Sequence, residues 1–250
     1  MISILINGAK GKMGQESVKA VSDSVDFKLA IAADLENNLD TILKQHTCDV
    51  VLDFTHPSCV KANVETCLEA GKPVVVGTTG LSDADLKNLD TLSKERKVAC
   101  LVIPNFSIGA VLMMQFSAKA AKYLPHYEII EYHHPQKADA PSGTAIKTAQ
   151  LMKAEQQKAN PNLKSLKETE LHTGARGASV DDVALHSVRL PGFMADQEVV
   201  FGSLGQRLSI HHISTDRACY MPGVLLALKE AKLKTDSGQS GLVYGLESLL

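Results

Sequence analysis

The first hundred residues alternate short apolar runs with segments of helical periodicity. The apolar runs are rich in β-branched residues, and each is suited to burial on both faces. They predict five strands, over residues 2–6, 27–33, 49–54, 73–77 and 98–103. Two of the intervening segments, 57–71 and 82–97, begin and end with residues that favour helix termini. This order predicts an α/β fold with a parallel sheet and helices on both of its faces.

A different pattern follows Pro104. A helix, a strand and a second helix are predicted first, over residues 108–123, 127–132 and 142–157. The stretch 159–180 is polar and irregular, and after it three strand-like runs are joined by glycine turns, over residues 184–190, 198–202 and 207–213. This part of the chain predicts an α+β domain with a mixed or antiparallel sheet. A last helix, 221–233, precedes an apolar tail, 241–250, that is expected to dock onto the folded chain.

Composition and charge exclude several classes of protein. Hydrophobic residues make up 44% of the 250 positions and charged residues 22%, which is typical of a globular chain. The 26 basic residues nearly balance the 28 acidic ones, so no basic field is available to hold a nucleic acid. No apolar run approaches the roughly 20 residues that span a bilayer, and no targeting signal is recognisable. A cytoplasmic protein without nucleic-acid or membrane partners is therefore expected.

The cysteines predict no cross-links. The chain has five, an odd number without any C-x-x-C pair, at Cys48, Cys59, Cys67, Cys100 and Cys219. This pattern favours neither a disulfide framework nor a zinc ribbon. Buried thiols are expected instead.

A glycine-rich turn follows the first predicted strand. Gly8, Gly11 and Gly14 lie between that strand and an amphipathic stretch. Glycines let the backbone approach a pyrophosphate, and the N–H groups at a helix start attract its negative charge. The spacing is G-x-x-G-x-x-G instead of G-x-G-x-x-G, so the turn alone also fits a plain helix start. Asp34 strengthens the case, because it ends the second predicted strand 20 residues after Gly14, where a dinucleotide fold needs a carboxylate for the adenosine ribose.

The residues around Asp34 predict a preference between cofactors. A carboxylate at this position repels the 2′-phosphate of NADPH, and Leu35 after it supplies no phosphate clamp. Lys12 in the glycine turn can partly compensate. We therefore expect NADH to be preferred and NADPH to be tolerated.

Two further turns follow predicted strands, where open parallel sheets bind ligands. Turn 77–80, with the sequence G-T-T-G, offers backbone N–H groups and hydroxyls with little bulk. Turn 104–106, with the sequence P-N-F, offers an amide and an aromatic ring. Both suit a nicotinamide ribose and ring, although each alone also fits a plain loop.

Residues 131–145, with the sequence E-Y-H-H-P-Q-K-A-D-A-P-S-G-T-A, form the most informative segment, because side chains suited to proton transfer and anion binding lie close together in it. His133, His134 and Lys137 gather proton donors and positive charge within five residues. The S-G-T at 142–144 then offers N–H groups and hydroxyls at a predicted helix start, which suits a carboxylate. A histidine, with an ordinary pKa of about 6.5, can shuttle a proton at neutral pH, whereas a lysine, at about 10.4, arrives protonated. The segment predicts a site for an anionic small molecule, with a solvated surface loop as the alternative.

A metal site is not expected in this segment. His133, His134 and Asp139 are residue types that bind zinc, but adjacent histidines on an extended segment point in opposite directions. A second histidine pair, His211 and His212, alternates across a predicted strand, so one ring is expected to be structural and the other to face a cleft.

With these motifs in this order, the chain resembles the 4-hydroxy-tetrahydrodipicolinate reductase family, also called dihydrodipicolinate reductase. The resemblance spans essentially the whole chain, and its most specific element is the pattern E-x-H-H-x-x-K-x-D-A-P-S-G-T-A, unbroken at 131–145. It implies a two-domain enzyme of bacterial lysine and diaminopimelate synthesis with a Rossmann-like N-terminal sheet, usually a homotetramer. The implied reaction is hydride transfer from NADH or NADPH to a cyclic dicarboxylate, giving tetrahydrodipicolinate.

The resemblance also implies roles for individual residues. His133 matches the family's catalytic acid/base, and Lys137 matches its proton donor. His134, Gly143 and Thr144 match the residues that bind the substrate carboxylates. The family's cofactor-binding segments are matched by Gly8, Ala9, Lys10, Gly11, Lys12, Met13, Asp34, Gly77, Thr78, Thr79, Ile103, Pro104, Asn105 and Phe106.

A division of labour between domains follows from these matches. Residues 1–106 with 214–250 are expected to bind the dinucleotide. Residues 107–213 are expected to bind the substrate and to form the tetramer. Closure about hinges near Ser107 and Ser214 would bring the two ligands together.

Two positions depart from the family pattern. Relatives often place arginine directly after the acidic residue, where this chain has Leu35, and this weakens NADP binding specifically. After the S-V-R at 187–189, many relatives continue with a glycine-rich turn that ends G-x-H. This chain reads L-P-G-F-M-A-D-Q at 190–197, which puts in doubt any contact made through that histidine.

Two other functions are compatible with such a fold. One is a dehydrogenase with a cysteine nucleophile, but Cys100 lies on a predicted strand and no cysteine occupies an obvious active-site turn. The other is a catalytically silent NAD(H)-binding sensor, which would bind NADH without oxidising it. The presence of both His133 and Lys137 favours the enzyme.

Overall fold

The chain divides into two units in a computed structural model that describes residues 1–163 and 169–250. Unit 1 comprises Met1–Ile108 and Arg217–Leu250, and unit 2 comprises the described part of Gly109–Asp216. The expected assignment of cofactor binding to the first unit and substrate binding to the second stays a prediction.

Unit 1 is built on a parallel sheet of six strands. In chain order these are β1 (Ile2–Asn7), β2 (Phe27–Ala33), β3 (Val50–Asp53), β4 (Val74–Val76), β5 (Ala99–Val102) and β11 (Gly241–Tyr244). The spatial order is β11-β5-β4-β3-β1-β2, and all five pairings are parallel. Every residue of β3, β4 and β5 is buried, as apolar runs in a two-sided sheet require. The predicted Rossmann-like α/β fold is confirmed.

Five α-helices connect these strands: α1 (Lys12–Asp23), α2 (Leu39–Gln45), α3 (Val60–Glu69), α4 (Asp83–Arg96) and α7 (Met221–Asp236). Helix α4 begins with the predicted capping box, in which Ser82 and Asp85 bond each other's backbone N–H. The predicted start of α3 at Pro57 is wrong. The chain first turns there, with Cys59 and Val60 both donating to the carbonyl of His56, and the helix begins three residues later.

The C-terminal tail docks on unit 1, as predicted. Strand β11 extends the sheet by pairing with β5, and Leu246 beyond it is buried. The backbone N–H groups of Gly241 and Leu242 donate to Ser93 Oγ and to Asp90 Oδ1 on α4. The tail is therefore part of the parallel sheet of unit 1, whose strand ends carry the predicted glycine turn.

Unit 2 has a mixed sheet, which agrees with the prediction. Its elements are α5 (Ile108–Ala121), β6 (His126–His133), α6 (Gly143–Ala159), β7 (Ala178–Val180), β8 (Val183–Arg189), β9 (Ala195–Ser203) and β10 (Gln206–Ser214). The strand order is β10-β9-β6-β8-β7, with β6 and β8 parallel and the other pairs antiparallel.

The stretch 159–180 was expected to be irregular throughout, and this is wrong at its C-terminal end. Residues 178–180 form β7, a short edge strand paired with β8. Residues 164–168 of the same stretch lie outside the described residues. The expectation of five buried thiols also needs correction. All five cysteines are free, but Cys59 and Cys219 are only half-buried.

Candidate functional site

The glycine turn of unit 1 is shaped by two glycines that its own fold requires. Gly8 has a φ of +85°, and a Cβ on it would lie 2.4 Å from the carbonyl oxygen of Phe54. A Cβ on Gly14 would lie 2.1 Å from the carbonyl oxygen of Gly8. Both contacts are impossible for real atoms, so these positions need glycine whatever the protein binds.

Gly11 is different, and the difference points to a ligand. A Cβ here would lie 3.4 Å from the carbonyl oxygen of Gly8, which is an ordinary contact, and the backbone φ of −68° suits any residue. Gly11 directly precedes α1, where the first N–H groups have no partner within the helix. Only backbone oxygens lie within 4 Å of a Cβ placed on Gly11, so no side chain of the protein fills the space beside the start of α1. The residues predicted to bind the cofactor therefore fit the pyrophosphate of a dinucleotide.

Asp34 joins the end of β2 to the glycine turn. Its Oδ2 accepts a hydrogen bond of 2.7 Å from the backbone N–H of Lys10, and its Oδ1 accepts one of 2.9 Å from Leu35 N–H. These bonds, the one from Leu35 first, hold the pKa of Asp34 below its ordinary value. The carboxylate is therefore charged at neutral pH and fixed in place.

Glu36 adds a second acid at this edge of the sheet, which sequence reasoning missed. Its carboxylate pairs with the ammonium group of Lys10, and both side chains are exposed. Leu35, between Asp34 and Glu36, is 94% exposed and carries no charge. Lys10 is thus neutralised by Glu36, and Lys12 is exposed at the first residue of α1.

The turn after β4 is held by Asp53, a buried carboxylate that sequence reasoning did not single out. Thr78 Oγ1 donates to Asp53 Oδ1 at 2.8 Å, and the side chains of Asn7 and Asn63 both donate to Oδ2 at 3.0 Å. The hydroxyl of Thr78 is therefore committed to the fold, whereas Thr79 is exposed and available to a ligand.

In the predicted turn 104–106 the aromatic ring is buried, whereas the side-chain amide of Asn105 is only half-buried. Phe106 is buried, and its ring packs edge-on against Phe54 with a centroid distance of 5.5 Å. Ile103 is also buried and donates its N–H to the carbonyl of Val76. Asn105 Oδ1 accepts from the N–H of Ser107, and Pro104 is exposed. The ring of Phe106 is thus committed to packing within unit 1, and the role of this turn in binding a nicotinamide ribose and ring stays a prediction.

In unit 2, the end of β6 places His133 next to a buried acid. His133 Nδ1 lies 2.5 Å from Glu131 Oε2, and the Glu131 side chain is fully buried. Burial lowers the pKa of His133 below its ordinary value, and the opposing effect of Glu131 does not outweigh burial together with the charges of Lys137 and Arg189. The imidazole is therefore neutral at neutral pH.

Lys137 and His134 follow on the loop between β6 and α6. Lys137 Nζ lies 2.7 and 2.9 Å from the two carboxylate oxygens of Asp139, and the lysine side chain is only 20% exposed. His134 Nδ1 lies 3.2 Å from Gln136 Oε1. Among the described residues, no group of three or more acidic, histidine or cysteine side chains could hold a metal ion.

Helix α6 begins at the far end of this loop. The Ser142 side chain accepts from Ala145 N–H at 3.2 Å, so the cap is satisfied three residues into the helix. The N–H groups of Gly143 and Thr144 belong to the first turn, which lacks partners within the helix. A Cβ on Gly143 would meet no atom within 4 Å, so the protein itself leaves open space there. This arrangement can receive a carboxylate.

The structure thus gathers the predicted residues into one cluster in each unit. It also shows partners that the sequence did not reveal, above all Glu131 and Arg189 in unit 2. Glu131 is the first residue of the 131–145 motif. Arg189 is 58 residues away in the chain and contacts Glu131 because β6 pairs with β8. Across residues 1–163 and 169–250, no helix has the length and apolar character needed to cross a bilayer.

Comparisons with known proteins agree with this picture. A family model described as dihydrodipicolinate reductase, N-terminus, matches residues 2–106, and one described as dihydrodipicolinate reductase, C-terminus, matches residues 109–250. The 4-hydroxy-tetrahydrodipicolinate reductase of Syntrophomonas wolfei is 44% identical over 99% of this chain and 98% of its own. The enzyme of the same name from Rippkaea orientalis is 46% identical over 100% of this chain and 98% of its own.

A solved structure is similar over its full length. Dipicolinate-bound dihydrodipicolinate reductase from Paenisporosarcina sp. TG-14 is 39% identical, covers 100% of both chains and superposes with a TM-score of 0.86. At this identity and coverage the two chains are similar in sequence over their whole length as well as in fold.

Proposed function

The chain belongs to the dihydrodipicolinate reductase family, and we propose that it reduces 4-hydroxy-tetrahydrodipicolinate to tetrahydrodipicolinate in lysine and diaminopimelate synthesis. One substrate molecule, one NAD(P)H and one proton give one product molecule, NAD(P)⁺ and water. Water is lost from the hydroxylated ring, and the conjugated system then gains a hydride at C4 and a proton. The cofactor supplies the hydride when bound.

We propose that the glycine turn and Asp34 hold the cofactor. The N–H groups at the start of α1 suit the pyrophosphate, because no side chain lies within 4 Å of a Cβ placed on Gly11, and the fixed carboxylate of Asp34 suits the adenosine ribose hydroxyls. Gly77 and Thr79 line the turn after β4, and Asn105 follows β5, where a parallel sheet binds the rest of a dinucleotide. NADH is preferred, because Asp34 and Glu36 are both acidic and Leu35 offers no charge to a 2′-phosphate.

We propose that unit 2 holds the substrate by its carboxylates. The N–H groups of Gly143 and Thr144 lie at the start of α6, where a Cβ on Gly143 would meet open space, and His134 lies on the loop that leads to this helix. The similar Paenisporosarcina structure has dipicolinate bound, which is a ring dicarboxylate of the same class. The helix dipole and the ammonium of Lys137 favour such a dianion.

Lys137 and His133 are the residues that we assign to proton transfer. A dicarboxylate resists hydride addition, because negative density builds on a ring that is already charged. Lys137, paired with Asp139, offsets this density and donates the proton, and His133 exchanges a proton through Nε2, since its Nδ1 is occupied by Glu131. A positioned proton donor of this kind contributes about 10²- to 10⁴-fold to the rate.

The single observation that carries this proposal is the cluster in unit 2, where a histidine backed by a buried acid, a lysine and an open helix start lie within one segment. A coupled assay tests it. The condensation product of pyruvate and aspartate semialdehyde is supplied, and loss of NADH and NADPH absorbance is followed in separate reactions, with pyruvate omitted as the control. Oxidation that depends on pyruvate is expected. NADH binding without any oxidation would instead identify a silent binder.

We further propose a cytoplasmic homotetramer. Five free cysteines suit a reducing compartment. Strand β10 at the edge of the unit 2 sheet exposes Leu208 and Ile213, and such apolar residues on an edge strand suit contact with another subunit. Light scattering coupled to size-exclusion chromatography tests the subunit number.

A further inference from the structure

One buried carboxylate contacts both halves of the substrate site in unit 2. We propose that Glu131 is a positioning residue of the reaction: clamped by Arg189, it fixes the ring of His133 and the start of α6 relative to each other. The proposal rests on the proposed function, in which His133 takes part in proton chemistry and α6 receives a substrate carboxylate.

The two carboxylate oxygens of Glu131 have different partners. Oε2 lies 2.5 Å from His133 Nδ1, on the same strand and two residues away. Oε1 accepts a hydrogen bond of 3.2 Å from the N–H of Ser142, the residue that caps α6. A single rigid group therefore spans the distance between the acid/base and the carboxylate-binding helix start.

Arg189 holds this group from the neighbouring strand. Its two terminal nitrogens donate to the two oxygens of Glu131, each at 2.8 Å, which is the bidentate geometry that fixes a carboxylate most firmly. The same guanidinium donates to the carbonyl of Asp139, so it also ties down the loop that carries Lys137. The buried negative charge is thereby compensated, as a fully buried acid requires.

The arrangement determines which nitrogen of His133 carries the proton. A carboxylate accepts hydrogen bonds and cannot donate them when ionised, so the neutral imidazole must present Nδ1–H to Glu131. Burial alone raises the pKa of Glu131, but the hydrogen bonds from Arg189, Ser187 and His133 outweigh it and keep the acid ionised. Nε2 is then the unprotonated nitrogen, and it is the one left to face a substrate.

Replacing Glu131 with glutamine should reverse this tautomer. At the Oε1 position an amide NH₂ would oppose two donors that cannot change, Ser142 N–H and Arg189. At the Oε2 position it would oppose Arg189 and His133 Nδ1, and the histidine can change from donor to acceptor. The amide therefore settles beside His133, and the ring proton moves to Nε2.

Histidine-selective ¹⁵N NMR tests this without reference to activity. In the wild-type protein we expect the neutral His133 ring to be the Nδ1–H tautomer, with its signals assigned by their loss in His133→Ala. In Glu131→Gln we expect the Nε2–H tautomer and a lower imidazole pKa, because the carboxylate that raises that pKa is gone while burial, Lys137 and Arg189 remain. The other charged or titratable neighbours, Asp139 and His134, are unchanged. An Nε2–H tautomer in the wild-type protein would overturn the proposal, even if the variant failed to fold.

Kinetics separate positioning from a merely structural role. Glu131→Gln should lower kcat about 10- to 100-fold and leave NADH binding within about twofold. Added to His133→Ala, the same change should cost less than about threefold, because it acts through a ring that is already absent. Full additivity of the two losses would contradict the proposal.

The matched control lies on the same strand. Glu128 also accepts from a histidine, His186 Nε2 at 2.8 Å, and pairs with Arg176, but strand alternation places it on the opposite face of β6. Glu128→Gln should leave kcat within about twofold of wild type, and a loss equal to that of Glu131→Gln would refute a specific role for Glu131. Absence of reductase activity in the wild-type protein would defeat the proposed function, while the tautomer measurement would still decide the role of Glu131.

Discussion

The backbone N–H of Lys10 lies 2.7 Å from Oδ2 of Asp34, so the end of β2 is joined directly to the glycine turn after β1. The acid that we propose for the ribose and the turn that we propose for the pyrophosphate are therefore held together by a direct hydrogen bond. The second oxygen of Asp34 accepts from Leu35, and both bonds keep the carboxylate ionised. Cofactor choice should follow from the charges placed at this junction.

Replacement of Asp34 by alanine together with Leu35→Arg should shift preference toward NADPH. The double change removes the anion that repels a 2′-phosphate and adds a cation on an exposed position. We expect the ratio of kcat/KM for NADPH over NADH to rise at least about tenfold. Steady-state kinetics with both cofactors measure it, and an unchanged ratio would refute the role of Asp34 at the ribose.

Glu36→Gln should improve NADPH use by itself. Glu36 pairs with Lys10, and the neutral glutamine would leave that lysine free for a 2′-phosphate. The gain should be at most about fivefold in KM for NADPH, because solvent screening keeps an exposed ion pair weak. KM for NADH should not change.

The control for that variant is Asp40→Asn. Asp40 forms a similar exposed pair with Lys44 on α2, away from the glycine turn. It should alter neither KM. Equal effects from the two variants would mean that net charge, and not the position of Lys10, governs NADPH binding.

Much of the fold of unit 1 could be predicted because its strands are buried on both faces and read as continuous apolar runs. Strand β11 escaped prediction for a physical reason. It is four residues long with two half-buried positions, and pairing with β5 makes it a strand. Strand β7 is three residues long and largely exposed, so its sequence carries no apolar signal.

The residues of the candidate site also divide into those that a local sequence pattern indicates and those that only the folded structure brings together. The glycine turn and residues 131–145 are local motifs, so residue type, spacing and the neighbouring predicted elements single them out, and the resemblance to a family suggests the role of each residue. The contact between Glu131 and Arg189 depends on the register of β6 against β8, and no local pattern encodes it. The burial of Phe106 likewise follows from its packing on Phe54, which is distant in the chain, and not from its own turn.

Gly11 and Gly14 of the glycine turn should respond differently to alanine. Gly11→Ala adds a methyl group that the protein accommodates, so the free energy of unfolding should change by less than about 1 kcal/mol. NADH binding should weaken at least about tenfold, because the methyl group occupies the space in front of the α1 donors. Chemical denaturation and fluorescence titration with NADH measure the two quantities.

Gly14→Ala provides the contrast. Its Cβ would overlap the carbonyl oxygen of Gly8, so the variant should lose about 1–3 kcal/mol of stability as well as NADH affinity. If Gly11→Ala proved as unstable as Gly14→Ala, the inference that Gly11 is reserved for a ligand would be wrong.

His133→Ala and Lys137→Ala should separate chemistry from cofactor binding. Both residues belong to unit 2, whereas the proposed cofactor residues belong to unit 1, so NADH affinity should stay within about twofold. Each change should lower kcat by about 10²- to 10⁴-fold, the usual worth of a positioned proton donor.

The control is His126→Ala, which changes an exposed histidine at the start of the same strand and should retain wild-type turnover. Because Lys137 supplies positive charge to a dianionic substrate as well as a proton, its loss should also raise KM for the dicarboxylate, whereas loss of His133 should act mainly on kcat. Near-normal turnover in both variants would remove the chemical roles assigned to them and leave residues 131–145 as a binding segment alone.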